Sequence, residues 1–315
     1  MIIYRSNSLF LIHTHQIMQF SKRPQNQISF TLFLPSFLAG IFLIFLFSKT
    51  KSLSLPGFKN LFNGKDLSGW YTYLGPELDA SGKRIPNSSL GKNKDPRKVF
   101  SIVELDGEKV IRISGESNGA LTTLKDFENF HLQLWFKWGK LQFGSKRNSK
   151  KDSGILYYSV GDEGADNGNW MRSQEFQIEE GNCGEYWGCA GGSEEIRARM
   201  LPDSTFTYDP HGTLLVFNEK SRQGRHCKKF IDSENPTGEW NKIDLYSFHG
   251  TSVHMVNGKV VMVLQHSSQL NSGNLTPLVK GKIQIQSEGC EVYYKKIQIE
   301  SISGLPKSFL HSSRN

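Results

Sequence analysis

The sequence predicts an all-β protein built as two packed antiparallel sheets, and three observations carry that prediction. Short runs rich in β-branched and aromatic residues follow one another from Val99 to Ser301, separated by Gly, Asn, Asp and Pro. Two of the separators, Asp106-Gly107 and Asn257-Gly258, are dipeptides favoured in two-residue hairpin turns, where both residues take positive φ. Outside the N-terminal leader no segment sustains a 3.6-residue apolar period, so nothing in the body asks for an amphipathic helix. Two sheets that share one interior are the simplest way to bury so many half-apolar strands.

The elements are expected in this order. Phe58 to Trp70, FKNLFNGKDLSGW, is too rich in Gly, Asn and Asp for a helix and reads as a turn pinning Leu61, Phe62 and Trp70 to the domain. Gly75 to Lys98, full of Pro, Gly, Asn and Lys, reads as a long surface loop. Strands follow at Val99–Leu105, Lys109–Ser114, Ala120–Leu124 and Phe130–Trp138. In the last of these Leu132, Leu134, Phe136 and Trp138 alternate with His131, Gln133, Trp135 and Lys137, so one face is apolar. Further strands are expected at Gly154–Ser159, Gln174–Glu179, Ile196–Met200, Thr213–Phe217, His226–Ile231 and Trp240–Tyr246. Thr251–Val256 and Lys259–Gln265 form a hairpin, and Lys282–Ser287 and Glu291–Ser301 close the series. Sandwiches pair strands distant in sequence, so the first and last strands are expected to be neighbours. Residues 303–315 form a polar tail, and there is no internal repeat.

The chain has 315 residues and a formal charge of +8, which by itself suggests a polyanion partner. Residues 1–51, however, hold Arg5, Lys22, Arg23, Lys49 and Lys51 and no acid. The other 33 basic and 30 acidic residues leave a nearly neutral body, and no basic stripe argues for nucleic acid. Within the leader, Lys22 and Arg23 precede a largely apolar run at about 28–47, the pattern of an export signal. Its length also suits an uncleaved anchor, and Met18 offers an alternative start. An exported protein, periplasmic or held at the cell envelope, is expected. Cys183, Cys189, Cys227 and Cys290 are an even number in such a protein; a local Cys183–Cys189 bridge and unpaired buried thiols are both compatible with the spacing, and a zinc signature is absent.

One stretch concentrates chemistry. From Asp152 to Trp187 two strand-like runs flank a Gly/Asp/Asn loop, and in the second run Glu175, Gln177 and Glu179 share one face while Phe176 and Ile178 share the other. Trp170 precedes this acidic face and Tyr186 and Trp187 follow it, a mixture of aromatics and carboxylates used by sugar-binding grooves. Any half-solvated antiparallel strand shows the same alternation.

Five segments together resemble one family: FKNLFNGKDLSGW at 58–70, FENFHLQLWFKWG at 127–139, DSGILYY with SQEFQIEEGNCGEYW, GEWNKIDLYSFHGTSVHMVNGKVV at 238–261, and GKIQIQSEGCEVYYKKIQI at 281–299. In this order they are similar to the 3-keto-disaccharide hydrolase domain family over roughly residues 58–302. The resemblance implies a concanavalin A-like jelly roll and an exported bacterial domain acting on glycosides whose glucose ring is oxidised at carbon 3. The chain departs from the family where Asp152 stands for a frequent Asn, and where Tyr294-Lys295-Lys296 stands for Phe-Arg-Asn.

A ketone at carbon 3 acidifies the carbon 2 proton; its loss expels the carbon 1 substituent, and water then adds to the enone. Such a site needs a base, an enolate stabiliser and an acid. Glu175 is the candidate base or metal-binding carboxylate, Gln177 a hydrogen-bonding partner of the sugar, Glu179 the second carboxylate, and Glu288 a further acid at a strand end. His254 is a candidate acid/base group because an unperturbed imidazole titrates near ~6.5, or else a surface histidine. Arg172 either stabilises the enolate or pairs with a carboxylate. Trp170, Trp187 and Tyr157 are stacking surfaces or core. A divalent cation would suit the carboxylates, but no complete ligand set is legible. The expected partners are a saccharide and, upstream, an oxidoreductase that makes the 3-keto sugar.

Two other functions fit the same residues. One is a non-catalytic carbohydrate-binding module of the cell envelope. The other is a β-glucanase-like hydrolase with two carboxylates on one strand in an E-x-D-x-E arrangement. Glu175 and Glu179 would then have Cα atoms ~13 Å apart at ~3.3 Å per residue, and their carboxyls would have to lean to the ~5–5.5 Å of a retaining pair, with Gln177 in place of the central Asp.

Overall fold

The computed structural model describes residues 57–79 and 83–311; the leader, with its expected signal or anchor, and the last residues of the tail lie outside them. The described strands are β1 (Lys59–Asn60), β2 (Trp70–Leu74), β3 (Gly91–Lys92), β4 (Phe100–Leu105), β5 (Glu108–Ile113), β6 (Gly119–Thr123), β7 (Phe130–Gln142), β8 (Asp152–Val160), β9 (Arg172–Glu179) and β10 (Tyr186–Cys189). They continue with β11 (Gly192–Met200), β12 (Phe206–Tyr208), β13 (Thr213–Phe217), β14 (His226–Cys227), β15 (Asn241–Phe248), β16 (Thr251–Val256), β17 (Lys259–Asn271), β18 (Asn274–Pro277), β19 (Lys282–Ser287) and β20 (Cys290–Ser301). A short helix, α1 (Lys307–His311), lies in the polar tail. Among the described residues no helix is long and apolar enough to cross a membrane.

These strands form two antiparallel sheets, the sandwich the sequence predicts. One runs β14-β10-β9-β8-β19-β6-β2-β3, and the other β12-β11-β17-β16-β15-β7-β20-β5-β4 with β1, β13 and β18 attached. First and last strands are neighbours: Lys59 pairs with Ile299. The alternation in β7 places Leu132, Leu134, Phe136 and Trp138 in the interior, where they meet Ile155, Phe176, Ile178, Leu121 and Ile285 from the facing sheet. Each such side chain taken out of water contributes ~1.5–3 kcal/mol. Leu61, Phe62 and Trp70 pack on this core as expected, and the Trp70 indole N–H donates to the Leu61 carbonyl at 2.7 Å.

The differences lie where local signals are weak. The run expected at His226–Ile231 is a strand only over its first two residues. The loop Gly75–Lys98 carries β3, and β10, β12 and β18 arise in turn-rich stretches. In β8 the register shifts between Tyr157 and Val160, and Tyr158 takes φ 56°. This bulge turns two successive tyrosines into the core. All four cysteines are buried and unpaired. The local bridge does not form because Cys183 packs in the main core while the Cys189 thiol lies against Glu175.

Candidate active site

The acidic face of β9 opens on the side of its sheet turned away from the core. Asp152 of β8 sits opposite Glu179, and Gly154 opposite Gln177; on the other flank Trp187 of β10 sits opposite Glu175, with His226 of β14 beyond it. Gln286 and Glu288 arrive from β19 and the turn after it. These side chains, with Lys146, Asp166, Glu185, Cys189 and Arg225, line a groove of about 320 Å³, near the lower end of the ~300–1,000 Å³ usual for small-molecule sites. Gly154 makes room for them: a methyl group there would fall on Glu175 Oε1 and Gln286 Oε1. A larger hollow of about 760 Å³ lies against β11, β12, β16 and β17, but no carboxylate lines it. It holds none of the expected site residues.

Loops supply the groove's cations and one wall. Lys146, at the end of a 3-10 turn over Gly144–Lys146, pairs with Asp152 and stands 3.9 Å from Glu288. Arg225 bonds Asp166 at 2.7 Å, which holds the loop between β8 and β9 against β14. The same Asp166 carboxylate accepts the Ala190 N–H at 3.1 Å. His226 Nε2 lies 2.7 Å from Glu185.

Burial and like charge act on the carboxyls of the floor. Burial, then the neighbouring Asp152, pushes Glu175 up to about 8. Burial also raises Asp152, but Lys146 opposes it and leaves the group at about 6. Glu288 is driven well above the usual carboxylate range, first by burial and then by Asp152. The Cys189 thiol donates to Glu175 Oε2 at 3.2 Å. Three buried acceptors on the groove lining, Asp152 Oδ1, Gln177 Oε1 and Gln286 Oε1, have no hydrogen-bond partner in the protein. An unpaired buried polar atom costs ~1–3 kcal/mol, so this surface suits a ligand that brings hydroxyl donors. Among the described residues no three His, Cys, Asp or Glu side chains gather closely enough to hold a metal ion.

Residues 57–300 match the model of the 3-keto-alpha-glucoside-1,2-lyase-like domain. The chain belongs to that family. Two solved structures of a candidate glycosyl hydrolase from Parabacteroides distasonis are each 20% identical to this lyase-like domain. One covers 79% of this chain and 95% of its own at a TM-score of 0.45, the other 78% and 99% at 0.43. The carbohydrate-binding module CBM66 of Bacillus subtilis is 7% identical, with 64% and 92% covered and a TM-score of 0.37. No curated protein sequence matches the chain.

In this 3-keto-alpha-glucoside-1,2-lyase-like domain, Glu175, Gln177, Glu179, Trp170, Trp187 and Glu288 come together in one groove. Three expected site residues do not. His254 is completely buried between the sheets, with Nδ1 3.0 Å from the Gly184 carbonyl and its ring 4.4 Å from that of Phe176. Burial pushes it down to about 3, so it is a neutral core histidine rather than a groove acid or a surface group. Tyr157 lies on the same inner side, its hydroxyl 3.3 Å from His254 Nε2. Arg172 falls on the opposite face of β9 from Glu175, Gln177 and Glu179, and its guanidinium bonds the Ala190 carbonyl, Gln269 and Asn271 instead.

The aromatic surfaces are also less open than expected. Trp170 packs against Ala120, Leu156 and Cys189 and donates its indole N–H to the Gly119 carbonyl. Trp187 is stacked under His226 at 4.2 Å, with Arg225 5.5 Å from its ring. Sequence reasoning missed Lys146, Asp166, Arg225, His226 and Gln286, and it marked Asp152 only as a departure from the family, not as a site residue. Gln286 carried a signal, since it alternates with Ile283 and Ile285 two residues before Glu288. The loop cations carried none.

Proposed function

We propose that this protein is an exported carbohydrate-active enzyme that cleaves 3-keto-glycosides by elimination and hydration in the Glu175 groove. The observation that carries the reading is a pair of carboxyls in one small polar groove whose environments push them apart, Asp152 to about 6 and Glu175 to about 8. Two such groups are suited to act as base and acid at neutral pH. Asp152 takes the base role expected of Glu175: its partnerless Oδ1 accepts the carbon 2 proton, and the electrons of that C–H bond become an enolate on the ketone. The enolate collapses, the bond from carbon 1 to the leaving oxygen breaks, and Glu175 protonates that oxygen. Water then adds its hydroxyl to carbon 1 and a proton to carbon 2. Gln177 and Gln286 hold the ring hydroxyls. A 3-oxidoreductase must supply the ketone, and the basic flank and apolar run of the leader support export.

Both alternatives are weaker here. A lectin-like module is expected to offer open aromatic faces, whereas Trp170 is buried and Trp187, half-buried, carries the His226 ring stacked on it. The glucanase pattern lacks its central Asp at Gln177. The test is release of reducing sugar from a 3-keto-disaccharide and from its unoxidised parent, each with and without EDTA. Cleavage of only the keto form is expected. Cleavage of the parent would favour the glucanase mechanism, and sugar binding without any cleavage would favour the module.

A further inference from the structure

We propose that Lys146 is a catalytic residue of this groove: its ammonium neutralises Asp152 at rest and the substrate's enolate oxygen once Asp152 has taken the proton. The inference rests on the elimination reading above. Lys146 is held in place by backbone and packing rather than by reach alone. Its amide donates to the Phe143 carbonyl at 3.0 Å, and its own carbonyl accepts from Gln142 Nε2 at 2.7 Å and from the Ser149 amide at 3.1 Å. Its stem lies over Gly289, where a Cβ would come within 2.8 Å of Lys146 Cγ. The ammonium meets Asp152 Oδ2, which leaves Oδ1 of the same carboxylate without a partner on the groove lining. Arg225, the other cation in the groove, is engaged by Asp166 and the Gly188 carbonyl.

The charge accounting follows from this geometry. At rest the ion pair of Lys146 and Asp152 is neutral. When the carbon 2 C–H bond breaks, the proton forms an O–H bond at Asp152 Oδ1, and the negative charge passes to the ketone oxygen. Asp152 is now neutral and no longer offsets the Lys146 charge, which stands beside a newly formed anion. The ammonium stabilises the enolate without any new charge entering the groove, as preorganised donors do in oxyanion sites. When the leaving group departs, the carbonyl re-forms and the Lys146–Asp152 pair is restored once Asp152 gives up its proton. Three carboxyls face the ammonium: Asp152 on β8, Glu288 after β19 and Glu179 on β9.

The experiment compares wild type, Lys146→Met and Lys146→Arg on a 3-keto-disaccharide. It reads kcat and KM across pH, exchange of the carbon 2 hydrogen in D2O by NMR, and binding of the unoxidised parent by calorimetry. Lys146→Met is expected to lower kcat and exchange by ~10²–10³-fold while binding of the parent changes little. Because Lys146 holds Asp152 down, the acid limb of its profile should also move to higher pH. Lys146→Arg keeps a cation beside Asp152 but not a compact ammonium. It should leave the acid limb in place and recover part of kcat, which keeps the proposal testable even if the methionine variant melts early. If Met and Arg variants turn over equally, or if either matches an active wild type, Lys146 is not the enolate partner, although the elimination reading stands. A wild type that neither exchanges nor cleaves the keto sugar overturns both.

Discussion

Glu175 at about 8 and Asp152 at about 6 bracket neutrality, and this sets the expected pH dependence. The dependence of kcat/KM on pH should be bell-shaped, falling below about 6 as Asp152 is protonated and above about 8 as Glu175 ionises. Glu175→Gln should lose ~10²–10⁴-fold in kcat and, with it, the alkaline limb; steady-state rates across pH 5–9 test both. Gly154→Ala is expected to be nearly as damaging, because the added methyl displaces Glu175 Oε1 and Gln286 Oε1. Crystal-quality folding with restored activity in that variant would show that the carboxyl has room to move. At this scale much of the groove was legible: strict alternation put Glu175, Gln177 and Glu179 on one face. The same alternation, carried back along the strand, places Arg172 on the opposite face, so its misassignment was avoidable. Tyr157 and His254 were not resolvable this way, because their strands' inner faces depend on a register that only the folded sheet supplies.

At the scale of elements, turns and one loop decide whether the groove forms. Asn257 and Gly258 both take positive φ, at 48° and 78°. Asn257 does more than turn, since its amide bonds the Lys242 N–H, the Ser233 carbonyl and Asn241. Gly258→Val, which forces a β-branched residue into the left-handed region, should cost ~1–2 kcal/mol with kcat unchanged, measured by urea denaturation. Asn257-Gly258 was readable because its information is local. The loop between β8 and β9 was not, because Asp166 acquires its meaning from Arg225, 59 residues away. Asp166→Asn should release that wall, raising KM and leaving global stability nearly intact; an unchanged KM would mean that the loop is held by its other contacts, among them Trp170 Nε1 to the Gly119 carbonyl.

For the molecule as a whole, two buried groups pull stability in opposite directions. His254 falls from 6.5 to about 3 on folding, so the stability it contributes is present above pH 6.5 and is lost as pH falls toward 3. Glu175 rises from 4.5 to about 8, so its contribution is full below 4.5 and is lost as pH rises through 8. Each changes stability by about 1.4 kcal/mol per pH unit inside its window, and between 4.5 and 6.5 the two slopes cancel. Above that range the His254 slope ends while the Glu175 slope continues, so, relative to wild type, Glu175→Gln should melt at increasingly higher temperature as pH is raised from 6.5 to 8. A constant difference in Tm across that range would mean that the carboxyl is not protonated in the folded state. The two-sheet architecture that buries these groups was legible from strand runs and hairpin dipeptides, because it follows from many repeated local patterns.

The four separated thiols have a consequence for how the protein is made. Since no covalent bridge joins distant strands, the native state does not depend on an oxidant, and dithiothreitol should leave Tm unchanged. The chain can therefore reach the same structure in a reducing or an oxidising compartment, and its maturation is independent of thiol-oxidising catalysts.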